Sequence, residues 1–248
     1  MTLAYDLEGS GPTVVLLHSA VCDRQMWQPQ WDALHQAGFQ TLRLDLRGFG
    51  ETPAPTESYS NAEDVRDLLD ELGLDQVTLV GSSFGGRIAQ EFASRWPERL
   101  TSLALICSAL RGHPPTPAMR AFGAAEDAFI EVRDLDGAAA LNVQTFLGPE
   151  ADEATRVLVT QMQRLAFELQ IDAPEVEGRA EKVDFAAITA RTLVVSGALD
   201  LAGFDEIADV LTERIAGAQR VTLDWAGHLP SLESPARFTP ILLDFLRG

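Results

Sequence analysis

At 248 residues the chain has the length of one larger domain, able to bury about 75% of the surface its unfolded form would expose. Hydrophobic residues make up 46% and charged residues 23%, the balance of an ordinary globular protein, which excludes a disordered or fibrous class. Asp and Glu (37) outnumber Lys and Arg (19), and a formal charge of −18 repels phosphates, arguing against nucleic acid or an anionic membrane surface as partner.

The first nine residues carry Asp6 and Glu8 but no basic stretch, and the first apolar run is too short for an export signal or a membrane span. A cytoplasmic protein is expected, a monomer or homodimer acting on a small molecule. Residues 2–7 read as a short mixed strand and 9–12 as a turn. Thr13-Val14-Val15-Leu16-Leu17 is a continuous apolar run, the pattern of a parallel strand buried on both faces. A loop carrying Trp27 leads to an amphipathic stretch at 28–37, then to a strand at 41–45 and the turn-rich Arg47-Gly48-Phe49-Gly50. From Ser60 or Asn61, either a suitable N-cap, Val65, Leu68, Leu69 and Leu72 recur at helical spacing until Gly73. A strand at 77–80, a helix at 84–96 closed by Pro97, and a strand at 100–107 follow. This alternation predicts an α/β fold with a mostly parallel central sheet and helices on both faces.

Between 112 and 187 the alternation stops. Pro114, Pro115 and Pro117 break the chain, and helices without strands are predicted at 118–132, 136–146 and 150–170. Alternation resumes with a strand at 192–196, a helix at 204–215, a strand at 220–223 and a helix at 235–246. The expected organisation is a core of residues 1–111 and 188–248 interrupted by a helical insertion, 112–187.

Gly81-Ser82-Ser83-Phe84-Gly85 is a G-x-S-x-G element at the corner between a strand and a helix. Small residues there permit a tight turn that projects a hydroxyl above the sheet, where the helix aims unpaired N–H groups and its positive end. Ser83 is the candidate nucleophile; Ser82 takes the role only if the turn is shifted. A serine hydroxyl needs a base, and the base a carboxylate to orient it. Among the four histidines, His228 follows the strand at 220–223 in a glycine-containing loop, the position a base requires. His35 reads as surface, His113 sits among prolines, and His18 ends a buried strand as a structural histidine. Asp200 follows the strand at 192–196, at the sheet edge where open α/β sheets build sites; Asp205 and Glu206 are nearby alternatives. Backbone N–H groups of Phe84 and Ala20 are the candidate donors to a developing oxyanion. Cys22 and Cys107 are separate thiols outside any metal-ligand spacing, and neither a metal nor an organic cofactor is implied.

Taken together, Leu17-His18 with Trp27, Asp45-Leu46-Arg47-Gly48-Phe49-Gly50, the turn around Ser83, Gly197 with Asp200, and Gly227-His228 resemble the α/β-hydrolase fold family over essentially the whole chain. His18-Ser19-Ala20 with Asp23 and Met26-Trp27 is similar to the corresponding stretch of 3-oxoadipate enol-lactonases, although Ser19 replaces a common glycine. The resemblance implies a helical cap over Ser83, with Trp27, Phe122, Phe129, Phe146, Met162 and Leu229 as candidate pocket residues. It also implies that the family's usual first antiparallel strand is absent, since the N-terminus is short. The expected activity is serine hydrolysis of a small carboxylic ester or lactone. C–C bond hydrolysis or perhydrolysis on the same triad, and a slow-hydrolysing ligand sensor, are the alternatives; nucleophilic-aspartate chemistry is disfavoured by serine at 83.

Overall fold

In the computed structural model, which describes residues 3–248, the apolar runs become strands of a single sheet. Strands β1 (Tyr5–Glu8), β2 (Thr13–Leu17), β3 (Gln40–Leu44), β4 (Val77–Ser82), β5 (Leu100–Ile106), β6 (Arg191–Gly197) and β7 (Gln219–Leu223) lie in the order β1-β3-β2-β4-β5-β6-β7. All pairings are parallel except β1 with β3. After β2 the chain adds β3 on one side and β4 on the other. That reversal opens a crevice beyond the carboxyl ends of β2 and β4, the place where such sheets accept ligands.

Helices α1 (Gln28–Gln36), α2 (Asn61–Glu71) and α3 (Phe84–Arg95) alternate with the early strands. Helices α4 (Pro117–Glu131), α5 (Leu135–Phe146) and α6 (Glu153–Gln170) occupy the interval between β5 and β6, as the loss of strand periodicity predicts. Helices α7 (Ala202–Arg214), α8 (Pro230–Glu233) and α9 (Pro235–Arg247) complete the chain. Because strand side chains alternate between faces, β2 feeds two cores: Val15 and Leu17 join Leu69, Phe92 and Leu211, while Val14 and Leu16 join Leu34 and Phe238. Every residue of β2 is buried. Among the described residues, no helix is long and apolar enough to cross a membrane.

Two expectations change. The strand anticipated at 2–7 lies at Tyr5–Glu8, and Thr2 is outside the described residues. The antiparallel strand does form: short as the N-terminus is, four residues suffice to pair Tyr5 with Leu44 and Glu8 with Thr41 along the open edge of β3. Ser60, not Asn61, caps α2, its side chain accepting from the Glu63 N–H.

The turn after β3 is tied down by one buried carboxylate. Asp45 Oδ1 accepts the Arg24 N–H at 2.8 Å, Oδ2 accepts the Glu51 N–H at 2.9 Å, and the Arg24 guanidinium pairs with Oδ2. Gly50, at φ 53, approaches so closely that a Cβ there would lie 2.2 Å from Asp45 Oδ2. Asp45→Ala would therefore strand two backbone donors and remove the one fully buried carboxylate of the three, with Asp6 and Glu51, that hold the Arg24 guanidinium. We expect it to cost about 3–5 kcal/mol, lowering the thermal midpoint by roughly 6–20 °C. A calorimetric shift under 2 °C would refute this anchoring role.

Candidate active site

Ser83 stands at the junction of β4 and α3 with φ 49 and ψ −107, a conformation that strains any residue with a Cβ. Three elements hold it there. Its N–H donates to the Ile106 carbonyl at 2.9 Å, its carbonyl accepts the Arg87 and Ala109 N–H groups, and the Gly85 N–H donates to the His18 carbonyl at 3.0 Å. A Cβ on Gly81 would lie 2.5 Å from the Gly85 carbonyl oxygen, and one on Gly85 would lie 2.5 Å from that of Leu17. The turn therefore tolerates only glycine at both places. Ser82 ends β4 with a buried hydroxyl that lacks a partner among the described residues, leaving Ser83 as the residue that faces the cavity.

His228 and Asp200 reach the same edge on the loops after β7 and β6. Their side chains are 2% and 1% exposed, and His228 Nδ1 lies 2.6 Å from Asp200 Oδ2. An imidazole that donates from Nδ1 to a carboxylate presents Nε2 as an acceptor. The other Asp200 oxygen accepts the Leu201 N–H at 2.7 Å. The two loops meet because Gly197 has no side chain: a Cβ there would lie 2.0 Å from the Gly227 carbonyl oxygen. The His228 ring packs between Phe146 and Phe204, with centroids 4.8 and 4.2 Å away. Asp205 and Glu206 are occupied elsewhere, with Arg220 and His113. His18 is fully buried, its Nδ1 on the Ser19 carbonyl and its Nε2 accepting the Leu46 N–H, and burial lowers its pKa. It is the structural histidine that its position suggests.

Ser83 and His228 line one chamber of about 230 Å³, together with Ala20. No Ser83–His228 hydrogen bond forms in this structure; catalytic pairs without substrate are commonly loose and tighten in the reacting complex. Among the described residues, neither the Phe84 nor the Ala20 N–H meets an acceptor from the chain, so both remain free to donate. Phe122 and Phe146 line the chamber, with Phe49 and Phe167. Four other anticipated pocket residues do not. Trp27, Met162 and Leu229 are buried in the core, and the Phe129 ring packs against Gly137 of α5. Each satisfies its apolar surface by packing between elements instead.

Three polar side chains that sequence patterning did not single out also line the chamber: Glu126, Asn142 and Gln163, one from each of α4, α5 and α6. Asn142 donates to Glu126 Oε1 at 2.6 Å, burial raises the Glu126 pKa, and the buried Gln163 Oε1 lacks a partner among the described residues. Beneath the dyad lies Cys107 of the loop after β5. Its Sγ, an Asp200 carboxylate oxygen and a His228 ring nitrogen fall within 4.8 Å of one another, and burial pushes the thiol pKa up.

With the geometry in place, comparison with known proteins is informative. The family described as the alpha/beta hydrolase family matches residues 14–241. The 2-hydroxymuconate semialdehyde hydrolase of Pseudomonas sp. (strain CF600) is 30% identical over 249 residues, covering 96% of this chain and 88% of that protein. The enol-lactonase of Burkholderia xenovorans LB400 superposes with a TM-score of 0.82 at 26% identity, over 99% of this chain and 96% of that one. A bifunctional epoxide hydrolase 2 of Sus scrofa is 39% identical over 103 residues, but this similarity spans 40% of the chain and only 19% of that protein.

One carboxylate absent from the sequence reading holds the His228 loop. Glu233, 4% exposed, accepts the Gly227 N–H at 2.8 Å and the Leu229 N–H at 2.9 Å, clamping the backbone on either side of His228. Burial raises its pKa against the pull of those bonds. Glu233→Ala would leave two buried donors unsatisfied at about 1–3 kcal/mol each. We expect a lower thermal midpoint and faster amide exchange at Gly227 and Leu229 than at the core of β6; unchanged exchange at both amides would refute the clamp.

Proposed function

Given that the chain belongs to the alpha/beta hydrolase family, we propose that it cleaves a small carboxylic ester or lactone through an acyl-enzyme on Ser83. The observation that carries this reading is the 2.6 Å contact of His228 Nδ1 with Asp200, on a ring that shares the chamber with Ser83. His228 Nε2 takes the Ser83 proton as Oγ attacks the carbonyl carbon, and the imidazolium that forms is stabilised by Asp200. The negative charge that develops on the carbonyl oxygen is met by the Phe84 N–H at the start of α3 and by the Ala20 N–H. His228 then protonates the departing alcohol, which in a lactone remains tethered to the acyl group. Water, deprotonated by the same imidazole, attacks the acyl-enzyme and releases the carboxylic acid.

The chamber volume of about 230 Å³ suits a small acyl group. Its aromatic walls shield the dyad from water, which strengthens each electrostatic interaction at the reacting carbon. A second reading, C–C bond hydrolysis on the same residues, draws support from the 2-hydroxymuconate semialdehyde hydrolase similar to this chain over nearly its whole length. Epoxide chemistry by a nucleophilic aspartate has a serine in its way at position 83.

A fluorophosphonate probe should label wild-type protein on Ser83 and leave Ser83→Ala unlabelled. Hydrolysis of p-nitrophenyl butanoate should fall by at least about 10³-fold in Ser83→Ala and in His228→Ala. Folded protein that resists the probe would overturn the proposal. Product analysis on an ester, a lactone and a vinylogous diketone decides between readings: faster cleavage of the diketone would move the assignment to C–C hydrolysis.

A further inference from the structure

Arg87 lies one turn along α3 from Ser83, its N–H on the Ser83 carbonyl at 3.1 Å. Its guanidinium is half-buried over the Phe84 ring, 4.7 Å from the centroid. With the exposed Arg111, on the loop that follows β5, it lines a pocket of about 190 Å³ that also contains Tyr59, Glu91 and Arg179. In a chain with 37 acidic and 19 basic residues, each arginine has carboxylates to spare. Arg179 takes Glu63 at 3.2 Å, and Arg95 takes both Glu63 and Glu91. Among the described residues, Arg87 and Arg111 form neither a side-chain hydrogen bond nor an ion pair. Glu91 attracts Arg87, yet its carboxylate is already held by Arg95 at 3.2 Å. Burial and the like charge of Arg111 both lower the Arg87 pKa. Arg87 thus bears a burial and repulsion penalty that the attraction of Glu91 and Tyr59 offsets only in part.

We propose that this pocket binds a small oxyanion, a carboxylate or phosphate group, through Arg87 and Arg111. Guanidinium forks match the paired oxygens of both groups, and delocalised charge makes arginine the cation best suited to a partly desolvated site. The pocket shares Tyr59 and Phe84 with a groove of about 370 Å³, which in turn shares Ala20, Phe49 and Gln170 with the Ser83 chamber. An anionic tail can therefore run from a scissile bond at Ser83 to the two arginines, whereas the chamber itself is lined by neither Arg nor Lys. The oxyanion is either that tail, an idea resting on the hydrolytic reading above, or a free anion bound beside the site.

Two readouts test this. First, inorganic phosphate is titrated into Ser83→Ala protein at fixed ionic strength by calorimetry, an arm that needs no turnover. Binding should saturate, and adding Arg111→Gln, alone or with Arg87→Gln, should weaken it roughly tenfold or more. Second, kcat/KM for p-nitrophenyl hemisuccinate is divided by that for p-nitrophenyl butanoate. A roughly tenfold fall of this ratio in Arg111→Gln or Arg87→Gln assigns the anion to the substrate; an unchanged ratio with weakened phosphate binding assigns a free anion. Arg111 is exposed, so its variant keeps the test open should Arg87→Gln fail to fold. Phosphate affinity and ester ratio both unaffected by the two substitutions would overturn the proposal, whatever the hydrolytic assays show.

Discussion

The site depends on keeping Ser83 in a backbone conformation that costs a residue with a side chain on the order of 1–3 kcal/mol. Neighbouring elements impose it. The hydrogen bonds to Ile106 and Ala109 fasten the turn to β5 and its following loop, and the bond from Gly85 to His18 fastens it to the end of β2. The attachment to β2 needs the backbones to approach more closely than a Cβ at Gly85 would allow, and the turn itself closes only with glycine at 81. The contact that strains the serine is also what brings the start of α3 beside the loop of Ala20. Projecting the hydroxyl and placing the two candidate oxyanion donors are thus consequences of one packing constraint.

The pairing of His228 with Asp200 follows from a second close approach, between Gly197 and Gly227, which juxtaposes their loops. Glu233 then fixes the N–H groups flanking the histidine, and Phe146 and Phe204 fix its ring. Cys107 fills the space below as a thiol whose pKa burial holds high. Four kinds of contact therefore converge on one imidazole. A ring so confined keeps its Nδ1 on Asp200, which fixes the direction of Nε2 instead of leaving that orientation to be found by motion.

Ser83, Asp200 and His228 were legible in the sequence because each sits in a short local pattern, a strand followed by a glycine-bearing turn. The pocket was legible only in part. Phe122 and Phe146 face the chamber, but Trp27, Met162 and Leu229, equally apolar, pack into a core, and Phe129, on the same helix as Phe122, packs against Gly137 of α5. Helical periodicity marks which residues are apolar; whether an apolar face meets a cavity or another helix is decided by tertiary packing. Glu126, Asn142 and Gln163 escaped notice for a related reason, since they come from three helices and meet only when these fold together. Glu233 looks like an ordinary solvent-facing acid until the His228 loop closes over it, and Arg87 looks like one more helical cation until its missing counter-charge is visible.

The charges around the site sort into two places. Inside the chamber the polar lining from the helices holds the Glu126 carboxyl, which accepts from the Asn142 amide, and a Gln163 oxygen without a partner among the described residues. A carboxylate brought there would meet the Glu126 and Gln163 oxygens and find neither Arg nor Lys lining the chamber to neutralise it. Arg87 and Arg111 lie outside, beyond Phe84. Arg87, one turn along α3, and Arg111, on the loop after β5, keep their field available to an anionic group outside the Ser83 chamber. The Phe84 ring lines the arginine pocket beneath Arg87, while its N–H, at the start of α3, is the candidate donor beside Ser83.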